Sequence, residues 1–200
     1  MATGTSSEKS DNGTGVSTGF LPLPYRAGAV AGAGAVLVGY LTTVLLTATR
    51  ALDVAASGPA PTDTLPGWKA VGWLFYNAHG VVVRFVDGGG AVGIDFIEAS
   101  GGALASLYVV PPVVLLVAGG ITAFRAGETS PKRAAAAGLT VVTGYAVALL
   151  VGSLLFGASL GPYTAALALP LVSAVGYPLV FGAMGGVAAA VLSLTPAANR

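Results

Sequence analysis

Cysteine is absent from the 200-residue chain, histidine occurs once, and charged side chains make up only 8% of it. Each shortage excludes something. Without Cys there is no disulfide framework, zinc ribbon, iron–sulfur site or thiol catalysis. A single His with no Met–His grouping offers no multidentate metal or haem site. Soluble domains carry charge on roughly a quarter of their residues, and nine bases with eight acids are too few to coat a chain of this length. Disorder needs low hydrophobicity and high charge, the reverse of what is present. The net charge of +1 leaves no nucleic-acid footprint. What fills the chain instead is apolar: 54% of it is hydrophobic, with 30 Gly besides. That composition belongs to an integral membrane protein.

Four stretches carry no charge at all: Ala27–Thr49, Ala103–Phe124, Ala134–Gly157 and Val172–Leu194. Each exceeds the ~20 residues that a helix needs to cross ~30 Å of hydrocarbon. Arg26, Arg50, Arg125, Lys132 and Arg133 flank them, as anchors at a lipid–water boundary would. Barrel strands would alternate polar and apolar residues, and these runs are apolar all round. The expectation is an all-α polytopic bundle of four transmembrane helices within residues 25–199. Residues 1–24, rich in Ser, Thr and Gly, read as a disordered cytoplasmic tail. Gly161-Pro162 and Pro170 mark a turn-like linker before the last span, with room for a shallow membrane-dipping segment.

Between the first two spans lies an outer loop, residues 50–102, holding most of the polar chemistry. At 100° per residue, Lys69, Trp73, Tyr76, Asn77, Gly80 and Arg84 share one side of a helix over 68–86. Val71, Leu74, Phe75, Ala78, Val81, Val82 and Phe85 cover the other side. This pattern predicts an amphipathic interfacial helix lying in the membrane plane, the alternative being a fifth span. Lys69, Trp73, Asn77, His79 and Arg84 are the candidate interaction face.

Counting Lys and Arg leaves the four-span and five-span topologies level. A repeat favours four. Pro112, Val114 and Gly119-Gly120 recur as Pro178, Val180 and Gly185-Gly186, and Gly39-Tyr40 recurs as Gly144-Tyr145. These matches describe two tandem helix hairpins of one orientation, the first enlarged by its outer loop. Parallel halves place both termini in the cytoplasm. Asn12-Gly13-Thr14, an acceptor sequon only on the outer face, then stays unmodified.

Gly28-xxx-Gly32 and Gly182-xxx-Gly186 have the spacing that lets membrane helices approach closely. Pro111, Pro112 and Pro178 fall within spans and are candidate helix kinks, since each removes a donor and crowds the preceding turn.

Ion-coupled transport ordinarily uses Asp, Glu, His or Arg inside the membrane, and the charge-free runs hold none. Binding through carbonyls or through the hydroxyls of Ser106, Tyr108, Thr140 and Thr143 stays open. Gly157-Ala158-Ser159-Leu160-Gly161 matches the nucleophile-elbow spacing but follows a membrane helix where a strand is required. His79 is the only available base, and no acid partner for it is apparent. Retinal would need a lysine in mid-span, which is lacking.

The segment Trp68–His79, with Gly39-Tyr40 before it and an Ala/Gly/Val/Thr-rich, Lys-poor composition, resembles uncharacterised multi-pass membrane proteins of halophilic archaea. The resemblance implies an integral membrane protein and no particular activity. The expectation is a non-enzymatic structural or interaction component of the cell membrane. Its partners would be the bilayer, a second copy or another membrane protein, and no nucleic acid or cofactor is expected. A small transporter or channel subunit with Pro-kinked helices is the alternative.

Overall fold

A computed structural model describes residues 23–47, 49–167 and 172–194. The sequon at Asn12, Pro170 and nearly all of the N-terminal tail lie outside these. Four helical segments are long and apolar enough to cross a membrane: Tyr25–Thr47, Ala105–Arg125, Pro131–Leu155 and Val172–Ser193. The first is a single helix, α1 (Tyr25–Thr47). Short helices α2 (Ala51–Ala55) and α3 (Gly67–Asn77) follow it. A hairpin of β1 (Val83–Asp87) and β2 (Gly90–Ile94) and the single turn α4 (Phe96–Ala99) complete the loop. The second segment runs from a 3₁₀ turn, Ala105–Val109, into α5 (Val110–Arg125). The third is α6 (Pro131–Leu139) and α7 (Val141–Leu155), joined at Thr140. A hairpin of β3 (Ala158–Leu160) and β4 (Tyr163–Leu167) leads to a π-helical turn, Val172–Gly176, and then α8 (Tyr177–Leu194).

The fold is therefore mostly helical but not all-α. Its four strands form one antiparallel sheet in the order β2-β1-β4-β3, with Val83 opposite Leu167 and Phe85 opposite Ala165. Because β1 lies in the first loop and β4 in the linker before α8, the sheet ties two distant loops together at one end of the bundle. The expected helix over 68–86 stops at Asn77. Gly80 adopts a left-handed φ of 69°. Its N–H bonds the Asn77 carbonyl while the Val81 N–H reaches back to the Tyr76 carbonyl, the arrangement that ends a helix where only glycine fits easily. Past that stop, the alternation of Val83 and Phe85 inward with Arg84 and Val86 outward suits a strand. Asp87 turns the hairpin, its carboxylate accepting from the N–H groups of Gly89 and Gly90.

Helix pairing rests on glycine. A side chain at Gly28 or Gly32 of α1 would collide with Thr140 and Val141, and one at Gly144 of α7 would collide with Ala29. On the other side, Gly119 of α5 faces the Gly182 carbonyl and Gly185 of α8 faces the Leu116 carbonyl. Gly186 meets Ala134, so α8 packs against α6 as well. Backbones touch at these glycines, the close approach by which van der Waals packing can hold apolar helices together. The candidate kinks fall where the helix type changes inside the second and fourth segments. Pro111 and Pro112 lie in the first turn of α5, and Pro178 is the second residue of α8.

Candidate functional site

The candidate interaction face folds inward instead of lying on the surface. Ala70 to Asn77 are all buried, and Trp73, Tyr76, Asn77 and His79 are each no more than 1% exposed. Lys69 is half-buried, and of the five candidates only Arg84, on β1, is exposed. The wheel misplaced these residues because it ignored what the rest of the chain wraps around α3.

Each polar group of α3 has a backbone partner elsewhere. The Lys69 ammonium donates to the Gly157 carbonyl and stands 5.4 Å from the centre of the Trp68 ring. The Trp73 indole N–H donates to the Phe156 carbonyl at 2.9 Å, and the Tyr76 hydroxyl to the Leu149 carbonyl. Asn77 donates to the Val81 carbonyl at 2.8 Å and accepts the Phe96 N–H at 3.0 Å, joining the end of α3 to the start of α4. Asp95 caps α4 through the N–H groups of Ile97 and Glu98.

His79, 1% exposed, lies outside the four long apolar segments. Its Nδ1 lies 2.7 Å from the Phe75 carbonyl oxygen and its Nε2 lies 2.6 Å from the Tyr145 hydroxyl. A carbonyl only accepts, so Nδ1 carries the proton and Nε2 accepts from Tyr145. Rings of Phe75, Tyr76, Tyr145 and Tyr177 surround it. Burial pulls the imidazole pKa down to about 4, against a smaller upward pull from the Phe75 carbonyl. Burial likewise raises the Tyr76 phenol above its ordinary value. Both groups are therefore neutral at physiological pH. Ser173, before α8, donates to the His79 carbonyl at 2.8 Å and draws the fourth segment into the same cluster.

An aromatic wall surrounds the polar ties. Trp73 stacks on Phe96 at 5.9 Å and meets Phe85 edge-on at 5.5 Å, while Phe156 stacks on Tyr40 at 5.5 Å. Each such pair is worth ~0.5–1.5 kcal/mol beyond burial. Phe156 and Phe96 were not singled out from the sequence, and Tyr40 and Tyr145 entered only through their Gly-Tyr pairs. The signals that could have found this closure, a stop at Gly80, a turn at Asp87-Gly88 and a cap at Asp95, were passed over in favour of one helix over 68–86.

The remaining candidates do not converge on chemistry. Ser159 sits on the edge strand β3 opposite Thr164, with its side chain exposed. No cluster of three or more His, Cys, Asp or Glu suited to a metal occurs among the described residues. Thr43, Thr122 and Thr140 each donate to a carbonyl of their own helical segment, and Tyr108 donates to Asp95 at 3.3 Å. No buried side-chain nitrogen or oxygen among the described residues lacks a partner.

A bundle of four candidate membrane helices, closed at one end by a buried helix and a small sheet, is the class this arrangement defines. The model of a family of unknown function, DUF7978, matches residues 5–193, and the chain belongs to that family. No curated protein and no solved structure matches it.

Proposed function

We propose that this chain is a non-enzymatic structural or interaction component of the cell membrane, with its four long helices spanning the bilayer. The observation that carries the reading is the closure of the bundle. Helices meet backbone to backbone at Gly28, Gly32, Gly119, Gly144 and Gly185. The hydroxyls of Thr43, Thr122 and Thr140 are engaged within their own helical segments. A carrier needs polar groups turned toward a passage, and such groups here are already paired. Lys69, Trp73, Asn77 and His79 then act as internal ties, and Arg84 is the one of the five still available to a partner.

Charge distribution supports an orientation. Arg26, Arg125, Lys132 and Arg133 stand with one acid, Glu128, at the end where α1 begins. Arg50, Lys69 and Arg84 stand with five acids at the opposite end. With four crossings the base-rich end is cytoplasmic, and the sheet end faces outward.

The tandem-hairpin reading is supported at one of its two matches. Gly119 against Gly182 and Gly185 against Leu116 are the same contact seen twice, because 116 to 182 and 119 to 185 are both steps of 66 residues. Across α1 and α7 the paired contacts step by 112 residues, whereas Gly39-Tyr40 and Gly144-Tyr145 are 105 apart. The two Gly-Tyr pairs thus lie two helical turns out of register. A Lys-poor, Gly- and Ala-rich composition supports a source among halophilic archaea.

Flux through vesicles tests the proposal. Purified protein in liposomes loaded with pH- and potassium-sensitive dyes should leave permeability at the protein-free level. Saturable, protein-dependent flux of either ion would replace this reading with transport.

A further inference from the structure

An open groove of about 820 Å³ runs between α1 and α5 on the flank of the bundle. Its walls are apolar, from Val30, Val38, Val113 and Val117 among others, and its two threonines are already engaged. Thr42 donates to the Val38 carbonyl and Thr122 to the Ala118 carbonyl, so neither hydroxyl proton is directed into the channel. Arg26 and Arg125 stand at one end of it. They come together because α1 and α5 run antiparallel, one starting where the other finishes. Both arginines are exposed, and the ion pair found among the described residues, Arg133 with Glu128, involves neither. From Arg26 to Thr42 the groove follows sixteen residues of helix, ~24 Å at 1.5 Å each. That exceeds half the ~30 Å thickness of the hydrocarbon layer.

We propose that this groove seats one acyl chain of an anionic phospholipid, with Arg26 and Arg125 holding the headgroup phosphate. Guanidinium groups offer forked donors suited to phosphate oxygens. Basic pockets between membrane helices on the cytoplasmic side recognise anionic headgroups in this way. Charge selects the occupant. Lys132, at the same end of the bundle, adds a further positive charge, and the acid there, Glu128, is bound to Arg133. A zwitterionic headgroup would bring its ammonium into that field. A second copy docking symmetrically through the same groove would set four arginines face to face. The inference is independent of whether the bundle transports anything.

Native mass spectrometry of the full chain in detergent tests it, with phosphatidylglycerol and phosphatidylcholine added separately. The wild type should retain one phosphatidylglycerol with a preference of roughly tenfold or more, as two surface bases would give. Arg26→Gln with Arg125→Gln should bring the two lipids to near parity. Gly34→Leu should reduce retention of both, since a side chain there meets nothing within 4 Å and projects into open space without straining the fold. Equal retention of the two lipids by the wild type, or an unchanged preference in the double variant, would overturn the proposal. So would displacement by glycerol 1-phosphate at equal concentration, which would make the ligand a soluble anion. A wild-type dimer converted to monomer by Gly34→Leu would make the groove an interface between copies and would also overturn it.

Discussion

The Tyr145 hydroxyl donates to His79 Nε2 across 2.6 Å, and this bond links the loop after α3 to the middle of the third long apolar segment. Both partners are buried. Tyr145→Phe removes the donor, keeps the ring and leaves an imidazole nitrogen unpaired in a closed space. The expected cost is about 1–3 kcal/mol, read as a lower midpoint of denaturant unfolding in detergent micelles. A midpoint equal to wild type would show that the bond contributes nothing net.

His79 also makes a pH prediction. Its folded pKa of about 4 lies below the ordinary 6.5, so the neutral form is favoured by folding. The associated stability is complete above pH 6.5 and is lost as pH falls toward 4, because the unfolded chain then binds the extra proton. The slope should approach about 1.4 kcal/mol per pH unit within that window. Carboxylates titrate nearby, so the comparison is with His79→Gln, whose unfolding midpoint should fall less steeply between pH 6.5 and 4.5.

Glycine contacts across α5 and α8 should respond as a pair. A Cβ on Gly119 would strike the Gly182 carbonyl, and one on Gly185 would strike the Leu116 carbonyl. Gly119→Ala and Gly185→Ala should each destabilise by about 1–3 kcal/mol through overpacking, with similar magnitudes. Gly34→Ala meets open space and should be neutral or slightly stabilising, since alanine is the better helix former. Thermal aggregation temperatures in one detergent rank the three variants, and a neutral Gly119→Ala would contradict the packing.

Asn77 ties three backbone groups through one amide, contacting the carbonyls of Val81 and Ile94 and the N–H of Phe96. Asn77→Leu keeps the volume and strips all three. The loss should exceed that of Tyr145→Phe, because more than one buried group is left unpaired. Protease access to the loop around Ser100 gives an independent readout, expected to rise as α4 loses its anchor.

Topology has its own test in this Cys-free chain. Single cysteines at Ser57 and Asp87 should label together from outside intact cells, and one at Ser130 should not. Opposite labelling of Ser57 and Asp87 would mean that α3 crosses the membrane. A cysteine replacing Arg84 should label, while one at Trp73 should not, because that side chain is 1% exposed.

The sequence by itself determined the four long apolar segments, the glycine seams and the shortage of charge, because each is a property of local composition and spacing. Gly28, Gly32, Gly182 and Gly186 stand at contacts because only a hydrogen fits where backbones touch. Pro111-Pro112 and Pro178 were legible as helix features, but not the change of helix type at each, since that depends on where the preceding 3₁₀ and π turns end. What only the tertiary structure decided is the fate of α3. A wheel sees one helix against lipid and water. It sees neither Tyr145 and Leu149 of the third long segment and Phe156 just after it arriving to pair with His79, Tyr76 and Trp73, nor β4 completing a sheet with β1. Those partners lie some 66 to 83 residues away in the chain. Burial of a polar face is decided by such distant carbonyls and hydroxyls, because a paired polar group costs little to bury and an unpaired one costs a great deal.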